Sequence, residues 1–382
     1  MIGGGIIGLS LSIELRRKGA SVLVVERGEP GREASYAAGG MLVDCPLETP
    51  AALQPLATAS ARLYPEFARE LELESDMKID LRDQGTILFL SNEHIGNPVL
   101  TSPQLRPAAI GLAELERLEP ALRRVVFSHI ELESFREEFG VDANTDQIEE
   151  FFKAIPGRVL HLKERSVDPR ALTAAVLRTA KRRAVDISSG EEVTGVNLSN
   201  GRVGGVITTK TSFHAAKVVN CAGAWSGQIA PQAFPTRPVK GQMLCLASPS
   251  RNLLKHVIRT PEVYLIPRSD GRILVGATVE EAGFDKRTDV ETIQRLHRAA
   301  IAIVPELRNA KILGDWAGLR PGTPDGLPIL GAAVVPGYYV ATGHFRDGIL
   351  LAPITAQVMA EVITGINCNY DLKPFSPARF PS

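Results

Sequence analysis

The stretch "MIGGGIIGLSLSIELRRKGASVLVVERG" (residues 1–28) constrains the fold more than any other part of the chain. Gly3, Gly5 and Gly8 form a GxGxxG pattern. The first glycine permits a tight turn, the second lets backbone approach a pyrophosphate, and the third allows close helix packing. Residues 6–15 predict a helix apolar nearly all round, ending in Arg16-Arg17-Lys18 with Gly19 as C-cap. Residues 21–25 are a β-branched and leucine run, the mark of a parallel strand covered on both faces. Glu26 stands at that strand's end, where it can accept hydrogen bonds from ribose hydroxyls. The glycines alone would also suit a structural turn. With helix, strand and acid behind them they point to a dinucleotide, without separating FAD from NAD.

Such a unit begins with a hydrophobic strand ahead of the glycines, and only Met1 and Ile2 precede them. Each buried Val or Ile missing from a central strand forfeits about 1.5–3 kcal/mol. Summed over a strand, that is comparable with a domain's net stability of roughly 5–15 kcal/mol. The expectation is a sequence shortened relative to the natural protein, or a different segment in that slot.

At 382 residues the chain has room for two domains, or one with a large insertion. Residues 51–125 read as helices and polar loops with a short strand at 85–90. Asp168-Pro169 opens a helix as N-cap and first helical residue, with Leu172, Ala175, Val176 and Thr179 on one face. "KVVNCAGAWSG" (217–227) is a buried strand and a small-residue turn, and "VYLIPRSDGRILVGATV" (263–279) is a hairpin about Asp270-Gly271. The C-terminal portion reads as strand, turn and long apolar helix. Parallel-sheet elements at both ends and near residue 220, with hairpins between them, predict an α/β fold. Its Rossmann-like domain is discontinuous (1–60, 157–226, 316–382), and an antiparallel-sheet substrate domain is inserted (61–156, 227–315).

Lys plus Arg balances Asp plus Glu at 43 each, which gives no reason to expect nucleic acid or an anionic membrane as partner. Four scattered cysteines and seven dispersed histidines offer no metal-ligand spacing, so no metal is expected. With no signal peptide and no membrane-length apolar run, the default expectation is a cytoplasmic protein with reduced thiols.

Three further segments bear on chemistry. "REASYAAGGML" (32–42) has the small residues that let a flat ring or phosphate lie against backbone, or else it is an ordinary loop. "WAGLRPGTPDGLPILG" (316–331) sets Arg320 in apolar company, where it either pairs with an internal acid or awaits an anionic ligand. "GHFRDGILLAP" (343–353) puts Arg346 beside the start of a helix whose N-terminus is already partly positive, so an anion is required there. Arg320, Arg346 and Tyr264 could converge on one carboxylate.

These motifs, with "IGGGIIG", "EASYAAGGML", "AGAWSG", "RPVKGQMLCL" and "YLIPRSDGRILVGAT", resemble the FAD-dependent glycine oxidases of the D-amino acid oxidase family, in order over nearly the whole chain. The resemblance implies Arg320 as the main clamp on a substrate carboxylate, Tyr264 assisting and Arg346 as a second contact. It implies flavin contacts at Ile6, Ile7, Glu26, Arg27, Ala34, Ser35, Gly39, Gly40, Met41, Val193, and the turn His344, Phe345, Arg346, Asp347, Gly348, Ile349, Leu350. The implied chemistry is hydride transfer from a neutral amine to non-covalent FAD. Water would hydrolyse the imine to a 2-oxo acid and ammonia, and oxygen would yield hydrogen peroxide. No side-chain base is needed. Relatives often serve thiazole synthesis for thiamine.

Val279 stands where bacillus-type glycine oxidases carry methionine. A methylene is worth about 1–3 kcal/mol in discrimination, which leaves glycine, sarcosine and small D-amino acids open. Covalent flavin attachment of the sarcosine-oxidase type is rejected, since no cysteine lies between Cys245 and Cys368. A D-amino acid dehydrogenase passing electrons to quinone and a cofactor-free relative remain the alternatives, and the oligomeric state is open. Segment 127–156 is longer than the resemblance requires. Ile148, Phe151, Phe152 and Ile155 form a helical stripe there with Asn144 as cap, and either pack on the parent domain or make a lid or subunit contact.

Overall fold

The computed structural model describes residues 1–90, 97–101, 108–122 and 159–380. The segment 127–156, with Asn144 and its stripe, lies outside them.

One layer is a sheet in the order Asp186–Ser189, Leu23–Glu26, then Val218–Asn220, Tyr338–Thr342 and Ile329–Ala332, with only the last pairing antiparallel. Between the strands at 23–26 and 218–220 lies Ile2, bridged in parallel to Val25 and Asn220. Ile2 N donates to Val219 O at 2.9 Å, Cys221 N to Ile2 O at 2.8 Å, and Gly3 N to Val25 O at 2.9 Å. The slot expected to lack a strand is thus spanned by residues 1–3, with Ile2 buried.

The covering of both faces follows from the unbroken apolar run in the Leu23–Glu26 strand, because successive side chains point to opposite sides. Val24 packs into a core with the helices Ile6–Arg17, Gln54–Ser75, Pro169–Arg182 and Gly348–Thr364. Val25 packs on the other side, against the antiparallel strands Val193–Ser199 and Arg202–Thr208. The Pro169–Arg182 helix starts as its sequence requires: Asp168 Oδ1 accepts from Arg170 N at 2.8 Å and Ala171 N at 3.3 Å.

A second, seven-stranded sheet runs Ile312–Gly322, Arg237–Ala247, Arg272–Gly276, Tyr264–Pro267, Val257–Arg259, Thr86–Phe89, Val159–Leu162. All its pairings are antiparallel except that of Val257–Arg259 with Thr86–Phe89. The hairpin turns at Gly271, whose φ is +88°. One face is covered by the helix Val290–Ile303. The other carries Met243, Ile266 and Tyr264. Val159–Leu162 and Ile312–Gly322, each at the edge of a segment anticipated for the nucleotide domain, pair in this larger sheet.

Among the described residues no helix is long and apolar enough to cross a membrane, and no cluster of three or more metal-ligating side chains occurs.

Candidate functional site

A cavity of about 1230 Å³ opens where the two sheets meet. One wall is built from the loops that follow the parallel strands: Gly3, Gly5, Ile6, Ile7, Glu26, Arg27, Ala222 to Trp225, and His344 to Ile349. The opposite wall is the open face of the seven-stranded sheet, with Met243, Tyr264, Gly276 and Arg320. Ligand sites of α/β sheets lie at the carboxyl ends of the strands, and this is one.

At the glycine turn, Gly3 has φ +96°, and a side chain there would press within 2.5 Å of the Cys221 carbonyl. A Cβ on Gly8 would overlap the Gly3 carbonyl oxygen, so Gly8 serves the packing of the turn and does not line the cavity. The Glu26 carboxylate accepts from Gly4 N at 2.7 Å and Gly28 N at 2.9 Å. Ser35 Oγ accepts from Ile6 N at 2.9 Å, tying the 32–42 loop to the helix start. Arg27 lies 3.6 Å over the Trp225 ring and pairs with Glu33 at 2.9 Å. Ala34, Ser35, Gly39, Gly40, Met41 and Val193 line the same cavity, and Arg268 holds the Gly39 carbonyl at 2.5 Å.

The Gly348–Thr364 helix points its N-terminus at the cavity without an acid in its first turn. Leu350 is buried in the core behind it, its carbonyl taking the Ser60 hydroxyl at 2.6 Å. Burial lowers the His344 pKa to about 3, and the ring faces Thr355 Oγ1 at 3.1 Å. That imidazole is neutral, so the fixed positive charge of the turn is Arg346. Burial raises Asp347 to about 6, opposed by Arg346 and reinforced by Glu48.

The sequence leaves Arg320 between an internal acid and an exogenous anion, and among the described residues it rests on backbone carbonyls. Its Nη1 donates to Thr278 O at 3.0 Å and Lys240 O at 3.4 Å. Among the described residues neither Arg320 nor Arg346 has an ion-pair partner. Burial raises the Tyr264 phenol above its ordinary pKa, and Arg320 and Arg346 both oppose that shift. Two guanidinium groups and a phenol therefore share one end of the cavity, an arrangement whose chemistry suits a carboxylate. Val279 sits at the rim, 61% exposed, rather than in a deep wall.

Two lining groups escape a reading of the sequence. Arg259, buried, pairs with Glu48 at 2.5 Å and Glu164 at 2.8 Å. An arginine in the apolar run "HVIRTPEVYLIP" carries the same signal that singles out Arg320, but nothing local marks its acids. Trp225 lies within "AGAWSG", yet its stacking on Arg27 depends on a residue nearly two hundred positions away.

Cofactor fit can be judged from these residues. Two helix N-termini without first-turn acids open on one cavity, which suits phosphate and a ring that gains negative charge. The cavity exceeds the usual span for a drug-sized ligand, about 300–1000 Å³. Cys221, the cysteine in its lining, lies at the glycine turn, and burial pushes its thiol up to about 12.

Fold and cavity together define a dinucleotide-binding oxidoreductase with an antiparallel sheet as its substrate wall. The family model described as "DAO: FAD dependent oxidoreductase" matches residues 1–362. The chain belongs to that family, and its cofactor is FAD. It is 31% identical over 403 residues to a glycine oxidase of Pseudomonas aeruginosa, covering 99% of this chain and 98% of that one. It is 32% identical over 428 residues to the hydrogen cyanide synthase subunit HcnC of the same organism, at 99% and 95% coverage. The crystal structure of glycine oxidase from Geobacillus kaustophilus superposes with a TM-score of 0.85 at 28% identity, covering 100% of this chain and 98% of that one. The chain is thus a flavin-dependent oxidoreductase of the type that oxidises amines.

Proposed function

We propose that the protein oxidatively deaminates glycine or a similarly small amine, sarcosine or a small D-amino acid, with oxygen as acceptor. The products are a 2-oxo acid, the released amine (ammonia from glycine) and hydrogen peroxide. The observation that carries this reading is the pair of guanidinium groups that make no ion pair among the described residues, Arg320 and Arg346, sharing a cavity with Tyr264 and the start of the Gly348–Thr364 helix.

In this reading Arg320 and Tyr264 grip the substrate carboxylate, and Arg346 supplies further positive charge. The Gly3–Ile7 turn, Glu26, the 34–41 loop and the 344–349 turn would hold FAD, which when bound would supply the two-electron acceptor for the α-hydrogen. His344, the one imidazole in the lining among the described residues, is neutral and faces Thr355, so it offers no base. The substrate amine enters neutral, and the rate comes from positioning and from fixed donors near developing charge. Met243, Leu88 and Phe89 add apolar surface that excludes water from the reacting carbon.

The test is peroxide release by the purified yellow protein across glycine, sarcosine and small D-amino acids, beside an artificial electron acceptor. Peroxide with at least one of these amines supports the reading. Dye reduction without peroxide favours a dehydrogenase passing electrons to quinone, and no flavin reduction by any of them refutes it.

A further inference from the structure

The stretch "RPVKGQ" (237–242) places only Gly241 in the cavity lining, yet its neighbours surround Arg320. A Cβ on Gly241 would stand 2.5 Å from the Arg320 guanidinium carbon, so that guanidinium lies flat on the backbone there. Its Nη1 rests on the carbonyls of Lys240 and Thr278. Both carbonyls belong to segments locked by one buried amide and one carboxylate. Gln242, 1% exposed, donates through its backbone N to Thr278 Oγ1 at 2.9 Å and through Nε2 to Glu280 Oε1 at 2.9 Å. Its Oε1 accepts from Asp289 N at 2.7 Å. The Thr278 hydroxyl donates to the same Glu280 oxygen. Glu280 also exchanges both backbone hydrogen bonds with Lys240, each 2.9 Å, and its Oε2 lies 3.9 Å from Lys240 Nζ.

We propose that Gln242 and Glu280 are positioning residues for Arg320, fixing the two carbonyls on which its guanidinium sits. A hydrogen-bonded network of this kind, anchored on the buried Gln242, is rigid. With no ion-pair partner among the described residues, this guanidinium takes its direction from those carbonyls and from Tyr264, and binding geometry is sensitive to displacements near 1 Å. The inference rests on the reading of Arg320 as a carboxylate clamp, and the test separates the two.

Gln242→Met keeps the volume and removes the amide's bonds. With the FAD-bound variant, acetate binding is followed by the change in flavin absorbance, and the crystal structure locates Arg320. The expected result is an Arg320 displaced from the Thr278 carbonyl and acetate bound about tenfold more weakly. KM for the amine should rise by a similar factor, while kcat and flavin content hold. Glu280→Gln, which retains an acceptor for Gln242 and Thr278, should keep acetate binding near the unsubstituted level. Should Gln242→Met fail to fold, Glu280→Ala at the part-exposed end of the network carries the same measurements. An Arg320 still on the Thr278 carbonyl overturns the proposal whatever the acetate result. A displaced Arg320 with undiminished acetate binding upholds the positioning and refutes the carboxylate clamp.

Discussion

Arg320 and Arg259 are chemically alike in the sequence and opposite in the structure. Both interrupt apolar runs, but Arg259 is paired with Glu48 and Glu164, whereas among the described residues Arg320 makes no ion pair and rests on carbonyls beside Tyr264. Arg320→Leu should therefore leave the fold intact and weaken substrate capture. Losing one partner of a charge pair costs about 2–5 kcal/mol, or roughly thirty- to several-thousand-fold in kcat/KM. Steady-state kinetics at saturating FAD measures it, and an unchanged kcat/KM would contradict the assignment. For Glu164, burial raises the carboxyl to about 6 against the pull of Arg259. A carboxyl that holds its proton more tightly when folded lends stability below its unfolded pKa and loses it as pH rises through the folded value. The Tm of Glu164→Gln relative to the unsubstituted protein should thus climb between pH 4.5 and pH 7, as followed by thermal denaturation. A pH-independent difference would show that this group does not titrate as described.

Two helices have ends that are dictated locally. The Ile6–Arg17 helix begins after Gly5 because the turn needs glycine at 3 and 8, and the Pro169–Arg182 helix begins at the Asp168 cap. Asp168 also pairs with Arg272 at 2.7 Å, so one carboxylate joins that helix to the hairpin carrying Tyr264. Asp168→Ala should cost about 0.5–2 kcal/mol for the cap alone, with more from the lost pair, and the fall in Tm should exceed that of Asp168→Asn. The strands at 159–162 and 312–322 illustrate what local pattern does not reveal. Their residues are suited to strand, but the partner sheet depends on which neighbour offers a free edge.

At the scale of the whole molecule, the cavity is a joint between two sheets, and FAD contacts would come from both. A ligand bound only by the folded state stabilises it by about 2.7 kcal/mol at a hundredfold excess over Kd. Flavin-depleted protein should accordingly melt lower than the holoprotein and recover as FAD is added, in a concentration-dependent manner visible by scanning calorimetry. A Tm indifferent to FAD would mean that the folded chain does not bind it preferentially. By itself the sequence determined the dinucleotide unit, the helix starts, the hairpin and the arginines of interest, since each depends on residues within a few positions of one another. Tertiary structure alone decided which arginine is neutralised, how residues 1–3 span the gap in the parallel sheet, and that Gln242 and Glu280 brace Arg320. Charge pairing and sheet edges bring together groups separated by tens to hundreds of residues, and no local pattern encodes that meeting.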